Sequence, residues 1–152
     1  MSKLDSYRKK YYENKINNAV INKGGRINFE CKVAYPENVI IGKGTYINGG
    51  HIFASPNANI TIGENCLISY NVHMRTDTHI YIEKDTPINI QGHIEKDIVV
   101  EDDVWIGYGA QIMQGITLKK GSVIGAGAIV TKDTQPYGIY AGVPARKIKE
   151  RE

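Results

Sequence analysis

The chain has 152 residues, 41% of them hydrophobic and 23% charged, which is enough for one domain with a core and too few for two comfortable ones. Its formal net charge of +3 at pH 7 comes without a dense Lys/Arg stripe interleaved with aromatic residues, which argues against nucleic acid as a partner. The sequence has no apolar run as long as a membrane span and its start does not resemble a signal peptide, so we expect a cytoplasmic protein with no membrane span.

The N-terminal segment, residues 1–20, shows no repeat and is rich in tyrosine and basic residues. We expect a helix or an extended cap over the first coil of the repeat that follows, because repeat folds need their open ends covered. The basic clusters near the two ends, "YRKKYYENK" and "PARKIKERE", are interpreted as solvated surface, with an anionic ligand as the alternative.

Residues 21–135 carry an aliphatic or other apolar residue at intervals of six. The third residue after most of them is Gly, Asn or Asp, which tolerate positive φ, so a tight turn is predicted at one fixed place in each block. This pattern predicts an all-β fold, a three-sided prism of stacked parallel coils with 18 residues per circuit. The predicted inward residues are Ile27, Val33, Ile41, Ile47, Phe53, Ile62, Ile68, Met74, Val100, Ile106, Ile112, Leu118, Ile124 and Val130. The predicted turn residues are Gly44, Gly50, Asn65, Asn71, Asp77, Asp103, Gly109, Gly115, Gly121, Gly127 and Asp133.

The two cysteines, Cys31 and Cys66, fit none of the metal or disulfide spacings. Both fall at inward positions of the repeat, so we expect reduced core residues.

Three stretches, "IGENCLISYNVHMRTDTH", "VWIGYGAQIMQGITLKKGSVIGAGAIVTKD" and "YAGVPARKIKER", resemble the hexapeptide-repeat acyltransferases. The resemblance runs from about Ile27 to Ile148 and is closest to the short O-acetyltransferases of sugars and capsular polysaccharides. It implies a left-handed parallel β-helix, acetyl-CoA as co-substrate with no permanently bound cofactor, and a homotrimer with active sites between subunits. Residues 136–152 would then form a closing turn and a basic tail.

The six-residue step is lost at about residues 80–99, which we interpret as an excursion from the prism. His79 stands at its base, and the resemblance implies that "TDTH" supplies the catalytic base. An imidazole suits proton transfer near neutral pH. Asp77 would orient the imidazole or shape the acceptor pocket, or it is only a turn residue.

The other histidines are weaker candidates. His51 is predicted to be structural at an inward corner, His73 to point outward near His79, and His93 to be solvated in the excursion, where it could cover the site. Their spacing does not reproduce the three-histidine zinc sites of carbonic anhydrases with the same prism fold, so no metal site is predicted.

The donor-binding residues lie in the C-terminal third. "GAGAIVTKD" offers small residues against which a ligand could lie, although the same glycines are turn residues of the repeat. In the family that the chain resembles, the positions matching Ala126, Thr131, Lys132 and Arg146 contact coenzyme A. The residues that we assign to the donor are these four together with Gly107, Tyr108, Gly125 and Lys149. Of these, Tyr108 stands where the family commonly has Ser, and Lys149 where it often has Arg.

An outward column of Tyr46, Leu67, Trp105 and Val123, followed by Asn48, Ser69, Gly107 and Gly125, is predicted on one side of the prism. We expect this column to pack against a neighbouring subunit, since an outward tryptophan needs a partner. The candidate acceptor contacts are Asn48, His73, Arg75 and Trp105.

The leading hypothesis is an acetyl-CoA-dependent O-acetyltransferase of a sugar or polysaccharide hydroxyl, with His79 as general base. The alternatives are an N-acetyltransferase of a nucleotide-linked amino sugar or an antibiotic, and a non-catalytic β-helix assembly subunit. The acceptor itself is not predicted.

Overall fold

The computed structural model describes residues 3–152 as a three-sided parallel β-helix preceded by one α-helix, α1 (Lys3–Ala19). The chain visits each side once per circuit, so every side becomes a sheet of stacked short strands. The predicted fold class is therefore confirmed. The first two residues of the predicted cap lie outside the described residues.

The three sides of the prism are called faces 1, 2 and 3 in the order in which the chain meets them. Face 1 contains β1 (Ile21–Asn22), β4 (Val39–Ile41), β7 (Ile60–Ile62), β12 (Ile98–Val100) and β15 (Thr117–Leu118). Face 2 contains β2 (Arg26–Ile27), β5 (Tyr46–Ile47), β8 (Leu67–Ile68), β13 (Trp105–Ile106), β16 (Val123–Ile124), β18 (Gly138–Ala141) and the antiparallel β19 (Arg146–Glu150). Face 3 contains β3 (Cys31–Ala34), β6 (Gly50–Phe53), β9 (Val72–Arg75), β14 (Gln111–Ile112) and β17 (Ile129–Val130). Short 3₁₀ helices occupy Pro36–Asn38 and Ile88–Ile90.

Inward side chains from the three faces fill the prism in stacked ladders. On face 2 the ladder is formed by isoleucines in direct register, and each of them is fully buried: Ile27, Ile47, Ile68, Ile106 and Ile124. Burying one such side chain contributes about 1.5–3 kcal/mol. The six-residue step fills the core because it places one aliphatic side chain in the interior on every face of each circuit.

The coil formed by β4, β5 and β6 departs from the six-residue step between faces 2 and 3. Ile52, five residues after Ile47, is the buried residue of β6 and pairs with Met74 of β9. Because neighbouring side chains of a strand point to opposite faces, His51 and Phe53 point outward and are only half-buried. The predictions of an inward Phe53 and an inward corner for His51 are therefore wrong.

The predicted turns hold at all but two positions. Positive φ is adopted by Gly44, Gly50, Asn65, Asn71, Asp103, Gly109, Gly115, Gly121 and Gly127. Asp133 instead accepts a hydrogen bond from the backbone N–H of Thr117 (2.8 Å), and Asp77 lies in a strand. Neither of these aspartates has positive φ.

Helix α1 covers the open end of the prism. The side-chain amide of Asn17 donates to the backbone C=O of Ile27 (2.8 Å), and its oxygen accepts from the N–H of Ile27 (2.9 Å). One side chain thus satisfies two backbone groups that have no preceding coil to pair with. Ile16 packs against the core beside the buried Val20. Within residues 3–152, no helix is both long and apolar enough to cross a membrane.

The predicted excursion leaves the prism after β9. Strand β10 (Asp77–His79) pairs antiparallel with β11 (His93–Glu95), and residues 80–92 form the loop between them. The side chain of Gln91 bridges this loop with hydrogen bonds to the backbone of Glu83 and Thr86. Ile98 and Val99, which the sequence assigned to the excursion, already belong to β12 on face 1.

Candidate functional site

The histidine cleft is a depression of about 330 Å³ where β10 leaves face 3. Its floor comes from β9 and β14, which are neighbours on face 3, and its wall comes from β10. Of the predicted site residues, His73, Arg75, Asp77 and His79 line this cleft together. Thr78, Gln111, Ile112, Met113 and Gln114 complete the lining.

His79 is exposed to solvent at this cleft and rests against a second imidazole. It is the register partner of His93 in the β10–β11 pair, and the two ring centroids lie 4.3 Å apart at an interplanar angle of 42°. His93 was predicted as a solvated loop residue that could cover the site. In the structure it is exposed, and its ring lies in tilted contact with the candidate base.

Asp77 forms an ion pair with Arg75 at the centre of the cleft. Arg75 Nε donates to Asp77 Oδ1 (2.8 Å) and Arg75 Nη2 donates to Asp77 Oδ2 (3.2 Å), so both carboxylate oxygens are engaged by one guanidinium. Neither oxygen bonds to the imidazole of His79. Asp77 is not a turn residue, because it lies in β10.

His73 lies on the floor, beside other aromatic side chains of face 3. Its ring centroid is 5.6 Å from that of His51 and 6.0 Å from that of Phe53. Burial lowers the pKa of His73, and the nearby His51 and Arg75 charges lower it further. The neutral imidazole is therefore favoured, in which one ring nitrogen can accept a hydrogen bond. His73 points outward and shares the cleft with His79, as predicted.

Four of the predicted donor residues stack at the corner between faces 2 and 3. Gly107 and Tyr108 form one layer of this corner, and Gly125 and Ala126 form the next. A Cβ on Gly107 would lie 2.8 Å from the backbone N of Ala126, so close stacking of the coils requires glycine there. The hydroxyl of Tyr108 accepts a hydrogen bond from the Asn71 side chain (2.6 Å), and Tyr108 itself is exposed.

The remaining predicted donor residues are exposed at the C-terminal end of the prism. Thr131 and Lys132 follow β17 on face 3, whereas Arg146 and Lys149 lie in β19 on face 2. None of these four side chains lines the histidine cleft.

Trp105 and Asn48 belong to face 2 and do not reach the histidine cleft of their own chain. The predicted column is correct in register, because Tyr46 pairs with Leu67, Leu67 with Trp105, and Trp105 with Val123. The prediction also counted the excursion as one full circuit of the prism, and this part is wrong, because Leu67 and Trp105 are direct neighbours and the excursion between them adds no further coil. The Trp105 side chain is 53% exposed.

Sequence reasoning missed the β14 side of the cleft, namely Gln111, Met113 and Gln114. Gln111 is the register partner of His73, but the excursion separates the two in sequence by far more than one 18-residue circuit. The signal that could have found them is the restart of the six-residue step at Val100, which fixes β14 as the coil after β9. Among residues 3–152, no group of three His, Cys, Asp or Glu side chains could hold a metal ion.

Residues 97–132 match the family model for the bacterial transferase hexapeptide with six repeats. The galactoside O-acetyltransferase of Escherichia coli K12 is 36% identical over 118 residues, which cover 77% of this chain and 56% of that enzyme. A solved galactoside acetyltransferase in complex with coenzyme A has a TM-score of 0.77 and 34% identity over 91% of this chain and 68% of its own. The chain belongs to the hexapeptide-repeat acyltransferase family.

A second solved member of this family has the same prism along the whole chain. A hexapeptide-repeat acetyltransferase from Vibrio cholerae, in complex with acetyl coenzyme A, has a TM-score of 0.76 and 27% identity over 100% of this chain and 79% of its own. The chain nevertheless spans only about half the length of the curated relatives that it matches first, 56% in each case.

Proposed function

We propose that this chain is an acetyl-CoA-dependent O-acetyltransferase that transfers an acetyl group to a hydroxyl of a sugar or polysaccharide. The observation that carries the proposal is the exposed His79, which lines the histidine cleft. The similarity of this chain to a galactoside O-acetyltransferase supports the same reaction. The cleft also provides polar side chains that suit a hydroxylated ligand, among them Gln111 and Gln114.

In the proposed reaction, the His79 imidazole removes the proton from the acceptor hydroxyl. The acceptor oxygen forms a bond to the thioester carbonyl carbon, the carbon–sulfur bond breaks, and the thiolate that leaves takes the proton back from His79. A general base of this kind contributes roughly 10²–10⁴ to the rate. Arg75 and Asp77 would hold the acceptor, with the ion pair fixing the orientation of both groups.

A direct transfer is favoured because neither cysteine can serve as an acyl carrier. Cys31 and Cys66 are both buried in the prism. Burial raises the pKa of Cys31 to about 12, and it also raises the pKa of Cys66. Both thiols are therefore held in the protonated form, which is not nucleophilic.

For the donor, we propose the corner between faces 2 and 3 as the path of the pantetheine arm, since Ala126 is exposed there and Gly125 is only partly buried. The exposed cations Lys132, Arg146 and Lys149 would meet the phosphates. We further propose a homotrimer, in which the column around Trp105 packs against a neighbour and brings Trp105 and Asn48 to the neighbour's cleft.

Calorimetric titration with acetyl-CoA tests the donor, and saturation at one site per chain is the expected result. Transfer is then followed by release of the coenzyme A thiol, with galactose against galactosamine as matched hydroxyl and amine acceptors. Faster transfer to the amine would favour the N-acetyltransferase alternative. A well-folded protein that does not bind acetyl-CoA would favour the non-catalytic alternative.

A further inference from the structure

A second depression, the aromatic cleft, lies beside the histidine cleft on face 3 and has a volume of about 280 Å³. Two aromatic side chains line it, Tyr35 after β3 and Phe53 in β6. On the other side it is bounded by His93 and Glu95 of β11. Neither the family match nor the proposed chemistry at His79 gives this cleft a role.

The two clefts adjoin at one ion pair. Arg75 and Asp77 line both of them, so a ligand in one cleft reaches the other by crossing these two side chains. The contact between His79 and His93 also joins the clefts, since His79 lines the first cleft and His93 lines the second. Groups bound in the two clefts would therefore be neighbours along one extended molecule.

The chemistry of the aromatic cleft suits a sugar ring. Aromatic faces pack against the C–H face of a pyranose, while carboxylates accept hydrogen bonds from its hydroxyl groups. Glu95 Oε2 accepts from the backbone N–H of Asn57 (2.7 Å), which fixes this carboxylate. Among residues 3–152, Glu95 Oε1 has no hydrogen-bond partner and is left to accept one from a ligand.

Tyr35 is held in an unusual conformation at the rim of this cleft. Its backbone has φ 48° and ψ 60°, the left-handed region that bulky residues rarely adopt. Its side chain is 45% exposed, so packing in the core does not explain a tyrosine here. Non-glycine residues in this region often occur at ligand-binding sites.

We infer that the aromatic cleft binds the second sugar residue of an oligosaccharide whose first residue presents its hydroxyl to His79. The inference rests on the proposed function and narrows the acceptor from any hydroxyl compound to a saccharide of at least two residues. The acceptor would lie along face 3 from β14 towards β3, and the ion pair of Arg75 and Asp77 would contact it near the glycosidic linkage.

The test compares matched acceptors with the full chain, namely galactose with lactose and glucose with maltose. The expected result is a kcat/KM at least tenfold higher for a disaccharide than for its monosaccharide. Tyr35→Asn removes the ring and keeps a residue that tolerates positive φ, and it should lower this ratio about tenfold. Phe53→Leu, which removes the ring and keeps an apolar side chain, should also lower the ratio. Tyr7→Ala removes an exposed tyrosine of α1 outside both clefts and should leave the ratio unchanged.

Saturation-transfer NMR with the same sugars separates this inference from the proposed function. Disaccharide binding that Tyr35→Asn weakens supports the aromatic cleft as a sugar site even when no acetyl transfer occurs. Transfer without any preference for disaccharides, or a ratio that Tyr35→Asn does not change, would overturn the inference and leave the proposed function standing. Neither binding nor transfer with any of the four sugars would overturn both.

Discussion

The imidazole rings of His79 and His93 pack against each other with their centroids 4.3 Å apart and their planes tilted by 42°, because the two residues are direct partners in the antiparallel pair β10–β11. The excursion therefore contributes a residue to the site. It also places the His93 ring against the imidazole of His79, and this contact restricts the orientation of that imidazole. We interpret His93 as a positioning residue for His79.

Replacement of His93 tests this positioning role. His93→Ala removes the stacking surface and should lower kcat about tenfold, with the KM for acetyl-CoA unchanged, since a misplaced base slows the proton transfer. His93→Phe restores an aromatic face without an ionisable group and should recover most of the lost activity. Steady-state kinetics of both variants provide the measurement. If His93→Phe is as impaired as His93→Ala, the imidazole acts chemically and the positioning role is refuted.

The ion pair between Arg75 and Asp77 is expected to matter for the acceptor and little for stability. The side chain of Arg75 is 52% exposed and that of Asp77 is 17% exposed, and pairs with one partner open to solvent are close to surface pairs, which contribute about 0–1 kcal/mol. Asp77→Asn should therefore change the free energy of unfolding by less than ~1 kcal/mol, measured by denaturant titration, while the acceptor KM rises several-fold. A hundredfold loss in kcat with an unchanged acceptor KM would show instead that Asp77 acts in the chemical step.

Much of this architecture follows from the sequence, because the six-residue step fixes both the faces and the register. Leu67 and Trp105 were predicted to share a column although the excursion lies between them, and they pair directly. The interval from Ile47 to Ile52 shows the limit of such counting. Because this step has five residues instead of six, Ile52 points inward and His51 and Phe53 point outward. The sequence alone does not show this, since packing against the neighbouring coils determines which residue is buried.

The excursion was predictable as an interruption but not as a structure. Nothing in its local sequence indicates that His93 returns to stack on His79, since that contact depends on the pairing of strands separated by a 13-residue loop, residues 80–92. Asp77 was misread as a turn for a related reason. The repeat predicts positive φ at this position, but the chain has already left the prism and continues as β10.

Trp105 provides a test of the proposed trimer. It lies next to the buried Ile106 in β13 but points outward, so Trp105→Ala creates no cavity in the core. The expected result is a weaker assembly with a retained fold, measured by sedimentation velocity over a range of concentrations and by circular dichroism. Tyr11→Ala, which removes an exposed aromatic side chain of α1, is the matched control and should not change the assembly. A Trp105→Ala protein that sediments like the unmodified protein would contradict this interface.

The two buried thiols should be unreactive in the folded protein. The raised pKa values of Cys31 and Cys66 keep both thiols protonated at pH 8, and the prism shields them from reagents. Ellman's reagent should therefore detect no thiol in the native protein and two per chain in guanidinium chloride. Fast reaction of either thiol under native conditions would refute their assignment as inert core residues and reopen the question of an acyl-enzyme.

The most direct test of the proposed mechanism compares the turnover of His79→Ala with that of the unmodified protein, using lactose and acetyl-CoA. Turnover should fall by roughly 10²–10⁴, while the Kd for acetyl-CoA, measured by calorimetry, stays within about twofold because the proposed donor residues lie outside the histidine cleft. Tyr7→Ala, which removes an exposed side chain of α1 outside both clefts, is the control and should retain turnover. Full turnover by His79→Ala would contradict the assignment of His79 as the base.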